Sequence, residues 1–149
     1  DYVNEGGSFI MFGGYLSFQG INAAARYKNT PIERILPVSI LPYDDRVEAP
    51  EGFEPKISNN HIILNNINGA WPKLLGLNEV KLKDDDKISS ILTADIDSKE
   101  YPLLAVSEKL PGKTAVWTSD VGPHWLPNDF VQWDGYKVLW NNLFKWLTE

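Results

Sequence analysis

Cysteine is absent from this 149-residue sequence. That absence excludes disulfides, thiolate metal sites and a cysteine nucleophile together. No cluster of Lys and Arg occurs and the net charge is −6, so nucleic acid is not an expected partner. No apolar run approaches the roughly 20 residues that span a bilayer, and no signal-peptide pattern is visible. A cytoplasmic location is the default, although a cysteine-free chain is also compatible with export. What is present is ordinary for a globular domain. Hydrophobic residues make up 43% and charged residues 23%, near the average for chains that bury one core.

The stretch Gly6 to Gly20 organises the chain. Phe9-Ile10-Met11-Phe12 reads as a strand buried on both faces, and Gly13-Gly14 as a sharp turn at its carboxyl end. In open α/β sheets, ligands bind at such turns. Before it, Asp1 to Gly7 reads as the last turn of a helix stopped by glycine. Residues 1–149 are therefore expected to be the C-terminal part of one domain. Missing N-terminal βα units, or a partner chain such as a second copy, would complete its sheet.

Ile21 to Tyr27 reads as a helical turn. Thr30-Pro31-Ile32-Glu33 carries a helix start, with a threonine cap, proline at the first position and glutamate three residues after the cap. Strands are expected at Val38–Leu41, Asn78–Lys83, Ile88–Thr93, Pro102–Val106 and Thr114–Ser119, the last two forming a hairpin. Ala49 to Asn60 reads as a surface loop or hairpin arm. From Asp134, taken as the N-cap, Tyr136, Leu139, Trp140, Leu143, Phe144 and Leu147 recur at helical spacing.

Three stretches now carry a resemblance. Gly13-Gly14-Tyr15-Leu16-Ser17-Phe18-Gln19 resembles the nucleophile elbow of class I glutamine amidotransferases, Gly-x-Cys-x-Gly-x-Gln. Together with Leu41-Pro42-Tyr43-Asp44-Asp45-Arg46-Val47 and Thr118-Ser119-Asp120-Val121-Gly122-Pro123-His124-Trp125, it resembles an uncharacterised amidotransferase-like family of bacterial cytoplasmic proteins. The resemblance implies an α/β fold: a three-layer, flavodoxin-like, mainly parallel sheet, here with an antiparallel extension over residues 78–119. Two departures decide the chemistry. Tyr15 stands where the elbow cysteine would stand. Trp125-Leu126 follow His124 where the family has Pro-Glu, whose glutamate orients the histidine. Glutaminase activity is not expected, nor is its recovery by Tyr15→Cys alone.

The site candidates follow. His124, with Asp120 to fix its tautomer, is the catalytic candidate if the chain is an enzyme. Gly13, Gly14, Tyr15, Leu16 and Gln19 of the elbow are ligand-binding candidates, through backbone N–H groups and the Tyr15 hydroxyl. Tyr15 equally suits a ring that covers the sheet edge. Asp44, Asp45 and Arg46 form either a charged rim or an internal pair that stiffens a turn. Trp125 and Trp133 would wall a cleft or a subunit contact. Ser17 reads as a turn cap, and His61 as a cap or packing residue. No metal-ligand spacing is present and no cofactor is called for. Two classes of function remain: a module that binds a small polar ligand or assembles with a partner, and a hydrolase or transferase using His124 as general base.

Overall fold

The computed structural model describes residues 1–149. Its strands are β1 (Phe9–Phe12), β2 (Val38–Ile40), β3 (Arg46–Phe53), β4 (Lys56–Ile57), β5 (Leu74–Asn78), β6 (Val80–Leu82), β7 (Ile88–Ile96), β8 (Lys99–Ser107) and β9 (Thr114–Trp117). Its helices are α1 (Pro31–Ile35), α2 (Asn128–Gln132) and α3 (Asp134–Thr148). Five strands form the main sheet in the order β1-β9-β8-β7-β4, while β2–β6 and β3–β5 form separate antiparallel pairs.

The expectation of a mainly parallel sheet is corrected. Only β1 and β9 run parallel; the other three pairings are antiparallel. Connection length is the physical reason. β7 turns into β8 through Asp97-Ser98, both at positive φ (49° and 64°), a tight hairpin turn without the usual glycine. Residues 108–113 return β8 to β9 just as directly. Short links permit only antiparallel neighbours, whereas β1 reaches β9 by a long excursion. The antiparallel stretch of residues 78–119 thus supplies most of the main sheet rather than an extension of it.

The edge position of β1 corrects a second expectation. Within Phe9–Phe12 only Met11 is buried; its neighbours are half-buried, because no strand of the chain pairs with the outer side of β1. The strand still alternates across the sheet. Phe9 and Met11 join Val116, Val38, Ile40 and Leu36 on one face. Ile10 and Phe12 pack with Ala115 and Trp117 on the other, where Leu139, Leu143, Trp146 and Leu147 of α3 cover them. Burying each such large side chain contributes about 2 kcal/mol. Leu103 to Val106 and Val116 are buried as expected. No helix is long and apolar enough to cross a membrane.

Several local readings hold. Gly7 N bonds Tyr2 O and Gly6 N bonds Val3 O, with Gly6 at φ 96°, which is the hydrogen-bond pattern of a helix C-terminus. Thr30 caps α1 by accepting from Glu33 N, with Pro31 at its start. Of the two readings of Ala49 to Asn60, the extended arm forms rather than the surface loop, since β3 continues to Phe53 and β4 follows. The ladder shifts register between Glu48 and Phe53, so Pro50 sits where no ladder N–H is required. Asp134 opens the first turn of α3 rather than capping it, because Trp133 holds the cap position. Phe144 faces solvent, and Trp146 takes its expected place in the core.

Candidate functional site

Parallel neighbours release their chains at the same end of a sheet. Phe12 pairs with Trp117, so the elbow after β1 and the loop after β9 leave side by side. Gly13 N donates to Trp117 O at 2.7 Å and to Ser119 O at 3.0 Å. A Cβ on Gly13 would lie 2.1 Å from Thr118 O, so only glycine allows this approach.

Beneath the elbow lies a polar clamp. Gly14 N donates to Asn78 Oδ1 at 2.8 Å, and Asn78 Nδ2 donates to Gly14 O at 3.0 Å and Asp45 Oδ1 at 2.8 Å. Asp45 also accepts from Gln19 N at 2.7 Å and Gly20 N at 3.0 Å. At 1% exposure Asp45 is no rim residue. Burial pushes its carboxyl up, against the opposing pull of the bonds from Asn78, Gln19 and Gly20. Its neighbour behaves oppositely. Asp44 receives Arg46 Nε at 2.9 Å and Nη2 at 2.8 Å, and accepts from Asn22 N. The Arg46 guanidinium holds Asp44 well below the usual carboxylate range. The internal pair, rather than a charged rim, is what forms.

Above the clamp, aromatic rings meet. Tyr15 donates its hydroxyl to Glu48 Oε1 at 2.9 Å. Its ring meets His124 edge-to-face at 4.4 Å and Trp125 at 5.6 Å, with the Arg46 guanidinium carbon 4.9 Å from its centre. The Glu48 bond, then loss of surrounding water, raises the Tyr15 phenol above its ordinary value. Trp125 is buried against β5; its Nε1 donates to Glu48 Oε2 at 2.9 Å. A Cβ on Gly76 would collide with that indole. Trp125 is therefore a brace for Glu48, not an open cleft wall. Trp133 packs with Trp71 and Phe130 in the core.

Asp120 organises the second loop. Its Oδ2 accepts from Trp125 N at 2.9 Å and lies 2.9 Å from His124 Nδ1, which leaves Nε2 outward. The orienting carboxylate missing from the family's position is thus supplied by Asp120. The backbone around it is pinned by Trp117 Nε1 to Asp120 O and by Tyr136 of α3, which donates to Val121 O. His124 itself sits at φ 133°, a left-handed value that costs a side-chain-bearing residue about 1 kcal/mol or more. Both His124→Gly and His124→Ala remove the imidazole, so comparing them isolates that strain. The glycine variant is expected to be the more stable by about 1 kcal/mol in urea unfolding; an alanine variant of equal or greater stability would show that the position is unstrained.

The remaining candidates separate. Leu16 is 69% exposed and outside the hydrogen-bonded cluster. Gln19 is buried beneath the elbow with Oε1 unpartnered. Ser17 makes no capping bond at the following turn, which is held by Ile21 N to Tyr15 O and by Asp45. His61 caps a turn through Ile63 N and packs on Trp146. No group of three or more potential metal ligands converges. Where elbow and loop meet, the Tyr15, His124 and Trp125 rings pack together, and a cavity of about 200 Å³ borders them at Glu48, running to Asp95–Asp97.

Sequence reasoning missed Glu48 and Asn78. A signal for Glu48 existed, because Arg46 and Glu48 are two apart on one strand and face the same way. Asn78 carried none: its role depends on β5 running beside Thr118, to which Asn78 N donates.

Comparison with known proteins fits this arrangement. Cytoplasmic Protein STM3548 from Salmonella typhimurium is 40% identical, with a TM-score of 0.88 over 98% of this chain and 57% of its own. Cytoplasmic Protein STM1381 from Salmonella typhimurium LT2 is 38% identical, with a TM-score of 0.89 over 99% of this chain and 58% of its own. This chain therefore spans well under two thirds of either protein. A beta-galactosidase from Rahnella sp. R3 shares the fold at 12% identity, with a TM-score of 0.61 over 99% of this chain and 20% of its own. A search of curated proteins returns no match. The family model described as "Putative glutamine amidotransferase" matches residues 1–149 from end to end, and the chain belongs to that glutamine amidotransferase-like family.

Proposed function

We propose that this chain is an amidotransferase-like domain without glutaminase activity, which holds a small polar ligand where the elbow meets the Asp120–Trp125 loop. The observation that carries this reading is the parallel β1–β9 pair. It brings both strand-end loops to the sheet end where ligands of α/β folds bind, and the His124 side chain is exposed there. The whole protein would be a cytoplasmic, three-layer, flavodoxin-like domain. Its N-terminal βα units, or a partner chain, would pair with the outer side of β1.

A titration with acetate, acetamide and glucose, followed by NMR of the His124 imidazole and the Trp125 indole N–H, tests the site. Saturable shifts confined to Tyr15, His124 and Trp125 are expected. Binding confined to the groove between Gly6–Ile10 and Phe144–Thr148 would move the ligand site elsewhere.

A second reading is favoured by the 2.9 Å Asp120–His124 contact: a hydrolase or transferase in which His124 takes a proton from water or a bound hydroxyl.

A further inference from the structure

A phenol is a poor nucleophile until a base stands ready for its proton. Tyr15 has one. Its hydroxyl lies 2.9 Å from Glu48 Oε1, and the other Glu48 oxygen is held at 2.9 Å by the buried Trp125 indole. Nucleophile, base and a third group that orients the base form the arrangement by which activated nucleophiles are recognised. Beside it, His124 meets the Tyr15 ring at 4.4 Å with Asp120 on its Nδ1. Arg46 stands beside them, its guanidinium carbon 4.9 Å from the Tyr15 ring centre and its Nε and Nη2 on Asp44.

We propose that Tyr15 is an acyl-accepting nucleophile with Glu48 as its base, and that it acts on a small thioester. The proposal rests on the reading that this joint holds a small ligand. In the first half, Tyr15 Oη bonds to the thioester carbonyl carbon and its proton passes to Glu48. Arg46 faces the oxygen that becomes negative, the carbon–sulfur bond breaks, and a thiolate leaves. In the second half, His124 Nε2 takes a proton from water, whose oxygen attacks the acyl–tyrosine ester. The carbon–Oη bond breaks and Glu48 returns its proton to the phenolate. The released thiolate takes its proton from solvent, and the imidazolium returns one to solvent.

Leaving-group chemistry selects this substrate. A tetrahedral adduct expels its weaker base. A thiolate, with a conjugate acid near pKa 8.5, leaves in preference to a phenolate, whose conjugate acid lies near 10. From an amide the phenolate leaves instead, and the adduct reverts. The same tyrosine that abolishes glutamine chemistry therefore suits a more activated acyl donor.

The experiment uses the acetyl thioester of N-acetylcysteamine. Because the chain contains no cysteine, every thiol released comes from substrate. Saturable release is expected, with acetyl recovered on Tyr15 in acid-quenched digests at least about tenfold above the more exposed Tyr2 and Tyr43. Tyr15→Phe should reduce release to background, Glu48→Gln should slow it about 100-fold, and Tyr43→Phe should leave it unchanged. Far-ultraviolet dichroism establishes that each variant is folded. Release that survives Tyr15→Phe, or that ignores Glu48→Gln, overturns the proposal. In the same samples, saturable shifts of the Trp125 indole without Tyr15-dependent release would overturn the acyl chemistry while leaving the ligand site standing. No shift and no release would remove both.

Discussion

Purified protein is expected to release no ammonia from glutamine, and Tyr15→Cys is expected to stay near the assay background. The wild type lacks any thiol, so thiolate chemistry is unavailable to it. The variant fails for a different reason from the one sequence suggests. An orienting carboxylate is present, since Asp120 grips His124 Nδ1. What is lost is the ring itself, which meets the His124 imidazole edge-to-face at 4.4 Å. Removing the ring also strips Glu48 of a donor and leaves His124 and Trp125 without the surface they pack against. Members of a nucleophile–base unit act together, so a displaced pair recovers little. Robust, enzyme-proportional turnover by Tyr15→Cys would show that His124 swings in to meet the thiol.

Asp45→Ala should be among the most destabilising single changes in the molecule, by about 3 kcal/mol. It leaves Gln19 N, Gly20 N and Asn78 Nδ2 without their acceptor in a buried setting. Urea unfolding followed by tryptophan fluorescence measures this, and a loss below about 1 kcal/mol would mean that water satisfies those donors. The pH dependence distinguishes Asp45 from its neighbour. Asp45 titrates above its ordinary 3.8 in the fold, so the folded state binds the extra proton. Its contribution to stability is full below the unfolded value and is lost as pH rises through the folded one. Asp44 titrates below 3.8, so its contribution is full above that value and is lost as pH falls further. Carboxyl carbon titration by NMR should find adjacent residues moving in opposite directions; two shifts of the same sign would refute the clamp.

How much of this was legible depended on how local each cause is. The α1 cap at Thr30, the α3 stripe and the β8–β9 hairpin rest on contacts a few residues apart, and sequence spacing carries them. The meeting of the elbow with the Asp120 loop came from the family resemblance instead, since it rests on the β1–β9 pairing of distant segments. The direction of the sheet was not legible. It turned on Asp97-Ser98 making a tight hairpin turn with neither glycine nor asparagine at the bend. The fate of Asp45 was hidden too. Nothing in Asp44-Asp45-Arg46 says which aspartate turns inward, and only the arrival of Asn78 from β5 makes burial tolerable. Glu48 was hidden as well, because its partners Tyr15 and Trp125 arrive from distant parts of the chain.

The parallel β1–β9 pairing also has a kinetic consequence. Its partners lie roughly a hundred residues apart in sequence, while β7 and β8 close on one another across a two-residue turn. Loop-closure entropy places the local hairpin early in folding and the distant pairing late. The elbow and the Asp120 loop become neighbours only through that late event. Collapsed intermediates should therefore carry the β7–β8–β9 meander yet show no Tyr15–His124 contact, so a ligand at this joint would slow unfolding without accelerating folding.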